Sequence, residues 1–299
     1  MDEDRDADGL RLRFWGVRGS CPSPGPDTAA VGGNTSCVEL RAGSDLLILD
    51  GGTGLRALGD ELGRSSAVEA SILFSHVHWD HIQGIPFFAP IFRSETRLSL
   101  YGAPEHMSLE DVMHKQMGGP NFPVPLDRVP AQLSFHAMTA GDAAAVGPFR
   151  VLPARLNHPN GVLGYRIEIG GRSIVYATDT EHLAGGVDQR LVELAAGADL
   201  LIYDAQYTPA EYAGELGPSR VGWGHSTWAE GVRVARAAGV GQLVLFHHDP
   251  AHDDAVIDAI EARAAEELPG TVAAREGLTI ELEANLTRRR RYQRARSTG

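Results

Sequence analysis

The sequence predicts an α/β fold, an αββα sandwich in which two mixed β-sheets lie face to face with helices outside. Three observations predict it. Apolar runs of strand length alternate with helix-like stretches in both halves of the chain. One such run ends at Ser75-His76-Val77-His78-Trp79-Asp80-His81, just before a short helix. Later apolar runs lead to a His or an Asp, at His158, Asp179 and His247.

The elements read in order as follows. Leu10-Arg11-Leu12-Arg13-Phe14-Trp15 alternates as a half-buried strand does. Gly16 to Pro26 forms a stiff loop whose glycines permit close backbone approach and whose prolines hold it open. Val38-Glu39-Leu40 and Leu46-Leu47-Ile48-Leu49 are two more strands, with a turn at Ala42-Gly43-Ser44 between them. Leu55 to Leu62 is a short helix that Gly63 caps. Ala70-Ser71-Ile72-Leu73-Phe74 is a buried strand leading into the histidine cluster, and Ile82 to Pro86 reads as a short helix that the proline stops. Residues 96–156 are less regular, with a strand at Leu98-Ser99-Leu100-Tyr101 and a helix from Leu109 to Met117. Gly118 to Pro125 is too rich in Gly and Pro for regular structure and is placed as a lid or a subunit contact. His106, His114 and His136 have no neighbouring donor and are read as ordinary. Phe149-Arg150-Val151-Leu152 leads to His158, and a hairpin turning at Gly170-Gly171 ends at Asp179. Leu200-Leu201-Ile202-Tyr203 ends at Asp204. Thr227 with Glu230 fits a capping box that opens a helix to about Ala238. Leu243-Val244-Leu245-Phe246 delivers His247, with His248 and His252 competing for its role. Asp253 or Asp254 starts an amphipathic helix with Val256, Ile260 and Ala264 on one face.

Within the central cluster, His76 and His78 point the same way if the backbone is extended there. Asp80 and His81 follow on a turn that swings them toward a second point. Imidazole nitrogen and carboxylate oxygen are the donors that zinc accepts, at about 2.0–2.2 Å. Four donors within six residues suit two adjacent cations better than one.

The motif H-x-H-x-D-H on a strand-to-helix turn resembles the one that opens the dinuclear metal site of the metallo-β-lactamase superfamily. That family also has a later His, an Asp that bridges the metals and a final His. Asn157-His158-Pro159, Thr178-Asp179-Thr180 and Phe246-His247-His248 occur here in that order. The Gly16-Val17-Arg18-Gly19-Ser20 loop, Gly33-Asn34-Thr35-Ser36 and Gly224-His225-Ser226-Thr227 look like members related to ribonuclease Z and to cyclic-nucleotide phosphodiesterases. The resemblance implies the metallo-β-lactamase sandwich and two Zn2+ ions, with Mn2+ or Fe2+ as alternatives. It implies that His76, His78 and His158 hold the first metal, that Asp80, His81 and His247 hold the second, and that Asp179 bridges them. Asp50 is expected to support the metal ligands from behind. Asp80 and His225 are the expected catalytic residues, His225 as a general acid beside the metals. Arg18 and Asn34 are candidates for touching substrate, or else parts of a structural loop.

Function follows as an expectation. A metal-bridging hydroxide attacks a compact phosphodiester, a 3′,5′-cyclic nucleotide by preference, and His225 protonates the leaving alkoxide. The alternatives are an RNA-processing nuclease of ribonuclease Z type, a nucleotide sensor without turnover, and a glyoxalase-like thioesterase. The tRNA-processing branch carries a long arm between the positions of His158 and Asp179, where this chain has room only for a hairpin. Charge points the same way. The chain carries −12 overall, with −4 in residues 1–9 and +6 in residues 288–296, which leaves −14 on the rest. Extended nucleic acid is an unlikely partner for such a body, and a small phosphodiester fits it.

Of the 299 residues 43% are hydrophobic, enough for a large core. A single domain is expected over residues 10–286, between a disordered acidic tail, 1–9, and a disordered basic tail, 287–299. No apolar run approaches membrane-spanning length, so no membrane partner is expected. Cys21 and Cys37 are the only cysteines, and with the acidic N-terminus they make the cytoplasm the default location. A homodimer is expected from the apolar Pro-rich loop and from the resemblance.

Overall fold

The computed structural model describes residues 9–63, 67–103 and 105–283. The two expected tails fall outside these residues except for Gly9. The first six strands in the chain are β1 (Leu10–Gly16), β2 (Cys37–Ala42), β3 (Asp45–Leu49), β4 (Glu69–Leu73), β5 (Arg97–Gly102) and β6 (Gln132–Ala137). The next seven are β7 (Ala144–Val146), β8 (Phe149–Leu156), β9 (Val162–Ile169), β10 (Arg172–Ala177), β11 (Leu200–Asp204), β12 (Gln242–Phe246) and β13 (Val272–Ala273). The last, β14 (Thr279–Leu282), returns to the edge of the first sheet. The orders are β14-β1-β2-β3-β4-β5-β6 and β13-β12-β11-β10-β9-β8-β7. Each sheet is antiparallel in one half and parallel in the other.

The sequence pattern explains which half is which. β1 alternates, with Leu10, Leu12 and Phe14 buried and Arg11 exposed, as a strand with one wet face does. β11 and β12 are near-continuous apolar runs, buried along both faces, which suits parallel strands covered by helices. Those helices are α1 (Gly54–Leu62), α2 (Trp79–Ile82), α3 (Leu109–Gln116), α4 (Gln189–Ala195), α5 (Pro209–Ala213), α6 (Trp228–Ala238) and α7 (Asp254–Glu267). One apolar cluster joins the inner faces of the two sheets and continues under α4, α6 and α7. A second lies between the first sheet and α1 and α3.

The two sheets are also stitched at one edge. Leu163 N–H of β9 donates to the carbonyl of Ser75 just past β4 (2.9 Å). Tyr165 O–H donates to the carbonyl of Phe74 (2.6 Å), and Tyr176 O–H to the Asp50 carboxylate (2.8 Å). β3, β4, β8, β10, β11 and β12 all finish at this edge, so the residues that follow them are gathered in one place.

Two expectations about helices change. The helix after the histidine cluster begins at Trp79, not Ile82, and Pro86 sits in a separate short 3-10 turn, Ile85–Phe87. Asp80 and His81 are therefore held on helical backbone. In α7, capped by the Asp253 side chain, Ile257, Ile260 and Ala264 face inward. Val256 is exposed, because one residue is a turn of about 100° and the buried stripe starts one position later.

Ile202 is fully buried at the centre of the shared core. Truncation to Ala should destabilise the fold by about 2–5 kcal/mol. Denaturant unfolding followed by circular dichroism checks this, and a shift under 1 kcal/mol (about half the least cost expected of a buried residue) would contradict the shared core.

Candidate metal centre

Each site residue is placed by the end of a strand. Asp50 follows β3, Ser75 and His76 follow β4, His158 follows β8, Asp179 follows β10, and His247 follows β12. Among the described residues, five that are not glycine have positive φ: Ser20, Asp50, Asn160, Asp179 and His247. All five belong to this edge. The left-handed region costs a non-glycine residue free energy, and such costs gather at functional sites. Of the five, Asp50, Asp179 and His247 are buried, whereas Ser20 and Asn160 are exposed at the rim.

Two donor sets result. Asp80, His81, Asp179 and His247 are all buried. His81 Nε2 lies 3.2 Å from Asp80 Oδ2 and 3.2 Å from Asp179 Oδ1. His247 Nε2 lies 3.2 Å from the same two oxygens and 3.3 Å from His81 Nε2. These are five of the six edges of a tetrahedron, and a regular one of that size has its centre about 2.0 Å from each corner, the zinc–ligand distance. The second set is His76, His78 and His158. His158 Nε2 is 3.3 Å from His78 Nδ1, and Asp179 Oδ2 lies 3.7 Å from His76 Nε2 and 3.8 Å from His158 Nε2. Asp179 thus turns one oxygen to each set. His76 Nε2 is buried without a hydrogen-bond partner, which is costly for a polar atom unless a cation takes its lone pair. The donors therefore fit divalent metal.

The protonation states agree. Burial, helped by the neighbouring His81, holds His76 well below the usual imidazole range. Burial likewise lowers His78 and His158, so all three offer lone pairs, the form that ligates metal. Burial opposes charge on Asp179, but the facing His247, His81 and His76 outweigh it and keep the carboxylate ionised. His81 behaves oppositely: burial disfavours its charge, yet Asp80, Asp179 and Asp50 raise it strongly. A cation among those carboxylates would take the place of that proton.

The ring orientations are fixed from behind. Asp50 accepts hydrogen bonds from Ser75 N–H (2.7 Å), Ser75 O–H (2.8 Å) and Tyr176 O–H (2.8 Å), and sits 2.8 Å from His81 Nδ1. Asp50 thus stands behind His81, where a supporting carboxylate would stand. Ser75 Oγ is 3.1 Å from His76 Nδ1. His158 Nδ1 donates to the Gly224 carbonyl (2.7 Å), and His247 Nδ1 to Gln206 Oε1 (3.0 Å). Ser20 N–H donates to Asp80 Oδ2 (2.8 Å). His225 lies beside both sets, with its Nδ1 2.9 Å from Asp204 Oδ2. Burial lowers its basicity, but the Asp204 carboxylate outweighs burial and pushes it up to about 9.

Asp204, Gln206, Ser20 and Ser75 had no role assigned from sequence. Only Asp204 carried a signal there, as an acid ending a strand like Asp50 and Asp179. Of the three competing histidines, His247 alone reaches the donors. His248 donates from Nε2 to the Ala274 carbonyl (2.9 Å), and His252 Nε2 pairs with Glu211 (2.8 Å). His106, His114 and His136 join neither set.

Arg18 and Asn34 take the structural alternative rather than contact with substrate. Arg18 is 0% exposed. Its guanidinium donates to the carbonyls of Gly32 (2.8 Å), Asp249 (3.1 Å) and His252 (2.6 Å). Asn34 donates from its backbone (2.6 Å) and from Nδ2 (3.0 Å) to the Glu276 carboxylate. Both tie the early loop to the C-terminal third of the chain.

Gly224 leaves no room for a side chain beside His158. Its φ is +84°, and a Cβ there would come within 2.4 Å of His158 Nδ1. Gly224→Ala should weaken zinc affinity by about 10–100-fold, the usual cost of losing a ligand's supporting bond. Competition with a chromogenic chelator measures it; unchanged affinity would mean that His158 is not held by this loop.

The profile of the Beta-lactamase superfamily domain matches residues 47–248. A ribonuclease Z of Myxococcus xanthus is 30% identical over an alignment of 329 residues that covers 91% of this chain and 98% of the relative. Among solved structures, the metallo-β-lactamase fold protein YhfI of Bacillus subtilis superposes with a TM-score of 0.69 at 22% identity, covering 92% of this chain and 99% of its own. The short form of human tRNase Z gives 0.63 at 20% identity, covering 91% and 99%. The solved structures share the fold, and the profile and the bacterial relative carry the kinship: the chain belongs to the β-lactamase superfamily, as a metal-dependent hydrolase of the metallo-β-lactamase fold akin to ribonuclease Z.

Proposed function

We propose that this protein is a di-metal phosphodiesterase acting on a compact phosphodiester, a 3′,5′-cyclic nucleotide, with His225 as its general acid. The Asp204–His225 pair carries the reading. His225 adjoins both donor sets, but Asp204 occupies its Nδ1 at 2.9 Å. A protonated imidazole in this place is a proton donor, and the two donor sets are filled without it. Phosphodiester hydrolysis expels an alkoxide, which leaves poorly unless it is protonated as the P–O bond breaks. The strained amide of a β-lactam makes no such demand.

The roles then divide. His76, His78 and His158 would hold one divalent cation, Asp80, His81 and His247 the other, and Asp179 both. Such a pair, when bound, polarises phosphate oxygens and makes water acidic enough to act as a nucleophile near neutral pH. Asp50 keeps the His81 ring in register, and Gln206 does the same for His247. Asp204 fixes the His225 tautomer, so that Nε2 faces the leaving oxygen and gives up the proton.

A compact substrate is supported by the hairpin between His158 and Asp179, where β9 and β10 are joined only by Gly170 and Gly171. The net charge of −12 supports it too, since a long polyanion is repelled by an acidic body. The 30% identity to a ribonuclease Z supports a second reading, an RNA-processing nuclease.

Metal-free protein titrated with zinc should saturate near two ions per chain, and His76→Ala should remove one. His225→Ala and Asp204→Asn should each keep both ions while kcat for a cyclic mononucleotide falls by about 10²–10⁴-fold. Loss of metal in His225→Ala would make His225 a ligand and end the acid assignment. Cleavage of a precursor tRNA, with cyclic mononucleotides untouched, would replace the first reading with the second.

A further inference from the structure

On the His225 side of the site, the chain between α5 and His225 forms a rigid rim. The Glu181 carboxylate accepts from Gly222 N–H (2.7 Å), Gly224 N–H (2.9 Å) and Tyr212 O–H (2.6 Å). Arg220 N–H donates to the Tyr212 carbonyl and Trp223 N–H to the Arg220 carbonyl, both at 3.1 Å. This rim presents Trp223, which is 52% exposed and two residues from His225.

The Arg220 guanidinium lies 4.5 Å from the centre of the Trp223 ring and 5.7 Å from that of Tyr207. Tyr207 is buried and meets His225 edge-on, with ring centres 6.1 Å apart. The series Trp223, Arg220, Tyr207, His225 therefore runs without a break from solvent to the acid. Arg220 has no carboxylate partner among the described residues, in a chain with 39 acids to 27 bases. A large indole held rigid in water forgoes the burial that would stabilise it. A stacked guanidinium beside it leaves one aromatic face and one positive charge for a ligand, the combination on which nucleobases stack.

We propose that Trp223, backed by Arg220, is the subsite on which the base stacks, the base of the nucleoside that carries the leaving oxygen. The placement rests on the reading of His225 as the acid, because the acid must stand beside the leaving oxygen and so fixes the side on which the nucleoside lies. Trp223 supplies the stacking face. Arg220 stiffens the indole and offers its charge to the nucleotide anion. The substrate is then a nucleoside phosphodiester rather than a simple sugar or lipid phosphodiester.

Calorimetric titration of zinc-loaded protein with AMP and with ribose 5-phosphate, which lacks a base, tests the subsite without turnover. Wild-type protein should bind AMP about tenfold more tightly than ribose 5-phosphate. Trp223→Ala should erase that preference and Trp223→Phe should keep most of it. Arg220→Ala should weaken AMP binding severalfold. Equal affinity of wild-type protein for the two ligands, binding of neither, or a preference that survives in Trp223→Ala would overturn the proposal. Failure of the phosphodiesterase reading would appear separately, as wild-type protein that prefers AMP yet turns over no cyclic mononucleotide.

Discussion

Asp179 joins the two halves of the chemistry. It leaves β10 in the left-handed region, with φ at 51°, and turns Oδ1 to one donor set and Oδ2 to the other. A carboxylate this deeply buried is tolerated only among compensating charges. Imidazoles from three other strand ends supply that compensation. The requirement is mutual, because His81 is drawn into the same position by Asp50, Asp80 and Asp179. Much of the rest of the fold is arranged to bring these strand ends to one edge.

The arrangement depends on parallel strands. In each sheet the parallel half places its carboxyl ends together, and ligand sites in open α/β sheets form at such ends. The antiparallel hairpin of β9 and β10 lets β8 finish at the same edge as β10, which brings His158 within reach of His78. The backbone bond from Leu163 to Ser75 then pins the two sheets there. The donors therefore come from four separate segments and are fixed with respect to one another by main-chain geometry more than by side-chain packing.

The candidate metal donors were named from the sequence, those at 76–81 by a local signal and His158, Asp179 and His247 through the family resemblance. Three histidines and an aspartate crowd six residues, and the later donors each end an apolar run. The residues that orient them were not legible. Ser75, Gln206 and Ser20 act through contacts between segments distant in the chain, and nothing about a serine or glutamine marks such a contact beforehand. Asp204 ends a strand as Asp50 and Asp179 do, a pattern visible only once those two have roles. Arg18 misled for the reverse reason. An arginine in a glycine-rich loop looks poised for an anion, whereas the carbonyls that bury it come mainly from Asp249 and His252 at the far end of the chain. β6 and β7 were missed as edge strands: β6 does alternate, with Leu133 and Phe135 half-buried between exposed polar residues, and β7 is only three residues long. On α7 only Val256 was misread, since Ile260 and Ala264 face inward as expected and the stripe begins at Ile257.

The tetrahedron outlined by Asp80, His81, Asp179 and His247 would also sort ions by radius. Its mixed nitrogen and oxygen corners leave a centre near 2.0 Å, whereas calcium demands six to eight oxygens at about 2.3–2.6 Å. Magnesium is small enough but prefers an octahedron of oxygens and gives up its water reluctantly. First-row transition ions accept both the size and the imidazoles, and affinity alone would rank copper above zinc and zinc above manganese. Occupancy in a living cell would then track the free concentration of each of these ions, making the catalyst answerable to metal supply.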